Sequence, residues 1–328
     1  MTTTSDQELA RGLDWSARFD FGSVPIRRDA AVLYEHEFAL EVREKGLGIT
    51  TKAGYRSRLR QQLLRVLDTR VADPRFEGVI CLDIEFLHPW WEGDREATPE
   101  FRRGMSQFEL WRRHLEESDA GLLRSRTSGS RDAILRRTYE GAVRAWYCMI
   151  VDECRTLRPY AKIGFYGIPA GSRHDRDYAK PEGKTHRDAN DKVRWMIDIC
   201  DCVLLPLYQD KVILRGLERQ VTPREIPPDL GRAFIETNIA EARRLAGRKP
   251  VYVVAMMTYP DWIKDYLPTM AERPMNDENL AAMFMWPKEY GADGLVIWDH
   301  FDGAPKFRAL QNEFGERIEP ALKQVIDR

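Results

Sequence analysis

The sequence is short of net charge, of paired cysteines and of long apolar runs, and each shortage closes off a class of function. Its 51 Lys and Arg stand against 52 Asp and Glu, a formal net charge of −1. Such a chain has no overall field to attract nucleic acid or an anionic membrane surface, so neither is expected as a partner. The five cysteines (Cys81, Cys148, Cys154, Cys200, Cys202) are odd in number and lack C-x-x-C spacing. That pattern fits neither a disulfide framework nor structural zinc. Four of them lie in apolar runs and read as small core residues in a reducing, cytoplasmic setting. No run approaches the roughly 20 apolar residues of a membrane helix. The opening MTTTSDQELARGLDW shows no apolar stretch of secretory type, so export is not expected. Gly-rich phosphate loops and the nucleophile elbow of serine hydrolases are missing too.

What the chain does have is material for a sizeable core, with 328 residues, 43% of them hydrophobic and 31% charged. Five runs read as strands: 78–85, 162–168, 202–208, 251–257 and 294–298. They are almost continuously apolar rather than alternating, as in parallel sheets covered by helices on both faces. Helical stripes separate them. Leu59, Leu63, Leu64, Leu67 and Val71 make one; Leu135, Tyr139, Ala142, Trp146, Met149 and Ile150 make another, which Pro159 ends near Arg158. Further helices are expected over 233–246, 277–290 and from about 306. Asn276 would cap the second of these, Pro287 kink or split it, and Gly291 end it. Strand–helix alternation predicts an α/β fold with a closed or open sheet, and five clear strands with one or two weaker ones near the N-terminus suit a single-domain TIM-like (β/α) barrel. Residues 1–45 are expected to form an N-terminal segment of that barrel and 46–328 its main body.

Two stretches interrupt the pattern. Residues 118–131 read as a flexible connection between helices. Residues 169–190 follow a strand directly, are highly charged and show no apolar period, so a long loop is expected there. Its Arg173, Arg176, Lys180, Lys184 and Arg187 would give a local basic patch in a chain without a basic field.

The chemistry-bearing stretch is C-L-D-I-E-F-L-H-P-W-W over 81–91. Side chains two apart on a strand point the same way, so Asp83 and Glu85 project together from an apolar strand end. Two carboxylates in one low-dielectric site cannot both ionise easily, and one keeps a proton near neutral pH. A general acid beside a charge stabiliser suits glycosidic bond cleavage. Trp90 and Trp91 offer flat apolar faces for sugar rings. Tyr166 and Trp298 close other strands, and in a parallel barrel such ends converge on one mouth. His88 and Asp299, beside the same strand ends, complete the substrate-binding candidates.

These elements resemble the hyaluronidases, a family of endo-N-acetylhexosaminidases. D-I-E-F-L-H-P-W-W over 83–91 is similar to that family's D-x-E-x-W-R-P-x-W. Leu157-Arg158-Pro159 with I-G-F-Y-G-I-P over 163–169 resembles its L-R-P and W-G-F-Y-G-F-P stretches. L-P-L-Y over 205–208, K-P-V-Y-V over 249–253 and G-A-D-G-L-V-I-W over 291–298 are similar to three further elements, in family order. The resemblance implies a distorted barrel of about seven strands without metal or organic cofactor. It implies Glu85 as acid/base, Asp83 as stabiliser, and Tyr166, Tyr208 and Trp298 around the substrate's N-acetyl group, whose own oxygen is the nucleophile. The substrate would be an oligo- or polysaccharide containing β-linked N-acetylhexosamine. Departures are concrete: Leu87-His88 stands where the family has Trp-Arg, and the family's disulfide cysteines are missing. Two other readings use the same residues. One is a metal-dependent hydrolase with Asp83, Glu85, His88, Asp299 and His300 as ligands. The other is a catalytically silent carbohydrate-binding barrel.

Overall fold

Six segments form strands among the described residues, and every pairing between those strands is parallel. The computed structural model describes residues 19–27, 29–87, 89, 106–124, 127–168, 181–208, 228–259, 263, 273–299 and 304–326. The first half of the chain contains β1 (Ala30–Tyr34), α1 (Glu35–Phe38), α2 (Leu40–Lys45), a 3-10 helix (Leu47–Thr51), α3 (Tyr55–Arg70), β2 (Val79–Asp83), α4 (Gln107–Ser118), α5 (Ala120–Arg124), α6 (Ser128–Leu157) and β3 (Lys162–Phe165). The second half contains α7 (Pro181–Lys192), α8 (Arg194–Ile199), β4 (Val203–Pro206), α9 (Pro228–Ala246), β5 (Val251–Ala255), α10 (Asp277–Glu289), β6 (Gly294–Ile297), α11 (Ala304–Glu313), a π-helical turn (Phe314–Ile318) and α12 (Glu319–Ile326). The strands make two three-stranded sheets, β1-β2-β3 and β4-β5-β6. Contacts divide the chain into two compact units: Asp29–Tyr166 with Lys192–Asp201, and Met1–Arg28 with Gly167–Asp191 and Cys202–Arg328.

In the unit holding β1-β2-β3, alternation along the strands separates two faces. Leu33, Ile80, Leu82 and Ile163 on one face are fully buried, and α3 contacts β1 as α6 contacts β3. The α3 stripe is Leu59, Leu63 and Leu67. Leu64 lies one helical step off that line and is exposed. The long α6 buries Leu135, Tyr139, Val143, Trp146, Tyr147 and Ile150. Trp146 donates its indole N–H to the Tyr55 hydroxyl at 2.7 Å, and buried Glu153 accepts from Arg56 at 2.5 Å and Arg60 at 2.8 Å. Most of the described part of 118–131 is helical rather than a loop. It holds α5, and Thr127 caps α6 by accepting the Ser130 N–H at 3.4 Å.

In the other unit, β4, β5 and β6 pair through Leu205↔Val253 and Val253↔Leu295. Fully buried residues of α9 (Phe234, Ile235, Ile239) and α10 (Leu280, Met283, Phe284) supply helical core. Asn276 caps α10 by accepting from the Asn279 N–H at 2.9 Å. Pro287 does not split α10, because it stands in the last turn, and Gly291 follows at φ 91°. The expected loop 169–190 is corrected from residue 181 onward, where α7 begins. Its polar composition hides the helical period, and polar contacts anchor it: Asn190 donates to buried Glu241 at 3.1 Å, and Arg187 lies 3.8 Å from the same carboxylate. Residues 19–27 dock on the C-terminal helices, with Phe19 5.0 Å from Phe314 edge-on and Ser23 donating to Glu319 at 2.6 Å.

Arg158, part of the L-R-P stretch, is buried and closes two helix ends. Its guanidinium donates to the Val71 carbonyl at 2.9 Å, to the Leu157 carbonyl at 2.9 Å and to Asp68 at 2.7 Å. Removing it strands carbonyls at the C-termini of α3 and α6. We expect Arg158→Met to cost about 3 kcal/mol in urea unfolding with an unchanged m value. A loss below about 0.5 kcal/mol, the range of ordinary surface changes, would contradict this role.

Candidate active site

The ends of β1, β2 and β3 set a row of side chains. Tyr34 pairs in register with Asp83, and Leu82 with Phe165. The Tyr166 N–H donates to the Leu82 carbonyl at 3.0 Å, which carries the ladder one residue further. Tyr34, Asp83 and Tyr166 therefore stand side by side on the face opposite Leu33, Leu82 and Phe165. All three are half-buried.

Asp83 is the most perturbed group in this row. Its Oδ1 is sealed from solvent without a hydrogen-bond partner. Burial pushes its carboxyl up to about 7, and the charges of Glu85 and Glu35 push the same way. Near neutral pH this carboxyl retains a proton for a large part of the time. Glu85, two residues on, is exposed. The pair expected from the sequence is thus one carboxyl held out of water beside another that reaches it.

The backbone carrying Glu85 is fixed from β1. Glu35 Oε2 accepts the N–H groups of Glu85 at 2.6 Å and Phe86 at 2.8 Å, and Glu35 Oε1 lies 3.2 Å from Arg43 Nη1. Behind the turn, Tyr147 donates its hydroxyl to the Leu87 carbonyl at 2.9 Å, and Phe86 packs edge-on against Trp146 at 6.1 Å. Tyr147 is enclosed by Phe165 at 5.0 Å and Trp195 at 6.0 Å, and its hydroxyl is pushed far above the usual tyrosine range by burial. Tyr34, Glu35 and Tyr147 are neighbours of the acidic pair that sequence reasoning missed. The available signal was the run A-A-V-L-Y before Glu35, a strand followed by an acid, like V-I-C-L before Asp83.

In the other unit, Tyr208 follows β4 and Trp298 follows β6. Their rings stack at 6.0 Å and 26°. Asp299 is buried: Oδ2 accepts the N–H groups of Met257 and Thr258, each at 3.1 Å, and Oδ1 accepts the Thr258 hydroxyl at 2.6 Å. The carboxylate thus fixes the chain just beyond β5. His88, Trp90, Trp91 and His300 lie outside the described residues, as do Arg173, Arg176 and Lys180. Among the described residues no group of three or more His, Cys, Asp or Glu is placed to hold a metal. None of the five cysteines is disulfide-bonded, and no described helix is long and apolar enough to cross a membrane.

No protein-family model matches the chain. It is similar to hyaluronidase Tab y 2.0101 of Tabanus yao, 22% identical over 284 residues that make up 85% of this chain and 72% of that protein. Its structure resembles bee venom hyaluronidase, with a TM-score of 0.66, 16% identity and 97% of each chain covered. A second structure of bee venom hyaluronidase, in complex with a hyaluronic acid tetramer, matches with a TM-score of 0.63 at 16% identity, over 92% of this chain and 88% of that one. The fold is therefore that of a hyaluronidase, of the TIM-barrel type, and the chain is a distant relative in sequence.

The raised Asp83 carboxyl has a cost that varies with pH. Between its unfolded value near 4 and its folded value near 7, the unfolded chain has released this proton while the folded chain keeps it. Folding stability then falls as pH rises through that window, by up to about 4 kcal/mol when complete. Asp83→Asn removes the penalty. We expect the variant to melt above wild type at pH 7.5 and to converge with it by about pH 4. A melting difference independent of pH would contradict the burial of an ionisable group here.

Proposed function

We propose that the protein is a hyaluronidase-like glycoside hydrolase. It would cleave β-linked N-acetylhexosamine glycans with retention, in a distorted barrel of about seven strands. The observation that carries this reading is the Asp83/Glu85 pair at the end of β2, one carboxyl dehydrated and proton-holding, the other exposed. Kinship in sequence and fold with hyaluronidases supports it.

On this reading the pair shares one proton near neutral pH, and its titration belongs to the pair rather than to either residue. The substrate's acetamido oxygen attacks the anomeric carbon while the bond to the leaving oxygen breaks, and Glu85 delivers the proton to that oxygen. Asp83 balances the positive charge on the resulting oxazolinium. Glu85 then takes a proton from water as the water's oxygen adds to the anomeric carbon and the bond from that carbon to the acetamido oxygen breaks, restoring the acetamido group; two inversions give net retention. This substrate-assisted route differs from the two-carboxylate scheme with an enzymic nucleophile. Tyr166, Tyr208, Trp298, Trp90, Trp91 and His88 take substrate-binding roles. Asp299 serves binding indirectly, since its carboxylate is engaged by the backbone beyond β5.

Hyaluronan, chondroitin and neutral N-acetylglucosamine oligomers are the test panel. We expect turnover of at least one by wild type, β-anomeric first products by proton NMR, and no effect of a chelator. Glu85→Gln should lower kcat by about 100-fold or more. Turnover unaffected by that change would sink the assignment. Binding of a glycan with no turnover by wild type would favour the silent carbohydrate-binding reading instead.

A further inference from the structure

Beside the acidic pair stands a third carboxylate with a different geometry. The β1–β2 ladder advances by two residues per hydrogen-bonded step from the Val79 N–H, which donates to the Asp29 carbonyl at 2.7 Å. Counting forward, the Glu85 N–H falls opposite position 35. There the main chain has already left β1 and turned into α1, a turn fixed where Glu37 accepts the Tyr34 N–H at 2.9 Å. A backbone acceptor is no longer available on that edge. The Glu35 side chain takes its place and captures two successive amides, at 2.6 and 2.8 Å, with a single oxygen. A charged acceptor makes these the stronger kind of hydrogen bond.

The structure assigns Glu35, we infer, as the positioning residue of the acidic pair: its carboxylate fixes the backbone that carries Glu85 while its charge stands beside Asp83. The inference rests on the proposed glycosidase reading and deepens it. The charges around Glu35 are consistent with that role. From α2, Arg43 approaches at 3.2 Å but is well exposed, so it neutralises Glu35 only weakly. From α1, Glu37 is occupied by Arg70 at 2.8 Å, and His36 stacks on the Tyr34 ring at 5.6 Å. From α6, buried Tyr147 holds the next carbonyl along the turn, that of Leu87. From β2, Glu85 adds the other negative charge felt by Asp83.

Two substitutions separate the two duties. Glu35→Gln keeps an oxygen for both amides and removes the charge. Glu35→Ala removes both. Carbon-13 titration of the Asp83 carboxyl and amide shifts of Glu85 and Phe86 are read without substrate, beside kcat and KM over pH. For Glu35→Gln we expect both amides to stay downfield, by less than in wild type because the acceptor is neutral, and an Asp83 titration moved to lower pH by roughly half a unit or more. The alkaline limb of kcat should move with it. For Glu35→Ala we expect both amides to lose their downfield shifts, and kcat to fall about tenfold or more with KM within about twofold. Amide shifts and Asp83 titration unchanged in both variants would overturn the assignment. If wild type turns over no glycan, the glycosidase reading falls while the substrate-free measurements still decide the role of Glu35.

Discussion

The dehydration of one carboxyl, that of Asp83, is the constraint around which the end of β2 is organised. A carboxylate there would be costly, since water is largely excluded and both neighbouring acids oppose ionisation. The fold accepts that cost and surrounds it with rigid parts. Glu35 holds the amides of Glu85 and Phe86, Tyr147 holds the carbonyl of Leu87, and Trp146 backs Phe86. The supports come from two elements: Glu35 opens α1, and Tyr147 and Trp146 are neighbours on α6. Unfavourable burial at a strand end, held in place by its surroundings, is the way a carboxyl is kept protonated near neutral pH.

The same device recurs in the other unit. Asp299, just beyond β6, takes the successive amides of Met257 and Thr258 beyond β5, as Glu35, just beyond β1, takes those beyond β2. Acids also close the opposite ends of the ladders. Asp201 accepts the Ile163 N–H at 3.1 Å, and Asp293 accepts the Val251 N–H at 2.7 Å. Those two carry arginine partners, Arg155 at 2.8 Å and Arg243 at 2.6 Å. A short parallel strand leaves amides pointing at a neighbour that has already ended, and an adjacent acid is the cheapest replacement acceptor. In this protein acids at strand ends therefore serve two purposes, and only burial and partners tell them apart. Asp83 has a sealed oxygen with no hydrogen-bond partner, whereas both oxygens of Asp299 accept hydrogen bonds from Met257 or Thr258.

That distinction marks the limit of what the sequence discloses. Near-continuous apolar runs reveal β2 to β6 because strands buried on both faces need them. The D-x-E pair is legible because its spacing matches the strand repeat. By contrast β1 is only five residues long and begins with two alanines, so neither length nor branching marks it, and Glu35 stays hidden with it. Helix α7 is hidden for the opposite reason: its stability comes from polar anchors such as Asn190 on Glu241 rather than from an apolar stripe. Asp299 reads as a ligand-facing acid in sequence, because nothing local shows that its partners lie some 40 residues earlier in the chain.

The near-zero charge balance acquires meaning from these pairings. Arg56 and Arg60 are drawn to Glu153, Arg58 to Glu41, Arg158 to Asp68, and Arg244 to Asp191 and Glu241. Arg187, one of the basic residues expected to form a local patch, faces the same Glu241. Positive charge engaged in this way contributes little to the long-range field that would concentrate a polyanionic glycan. On the proposed reading, affinity then has to come from contacts at short range, through aromatic faces such as the stacked Tyr208 and Trp298. Stacking on a sugar ring is indifferent to salt, whereas capture of a polyanion by arginines weakens steeply as salt rises. On that same reading, a glycan held mainly by its rings and acetamido groups suits this chain better than one held by its carboxylates.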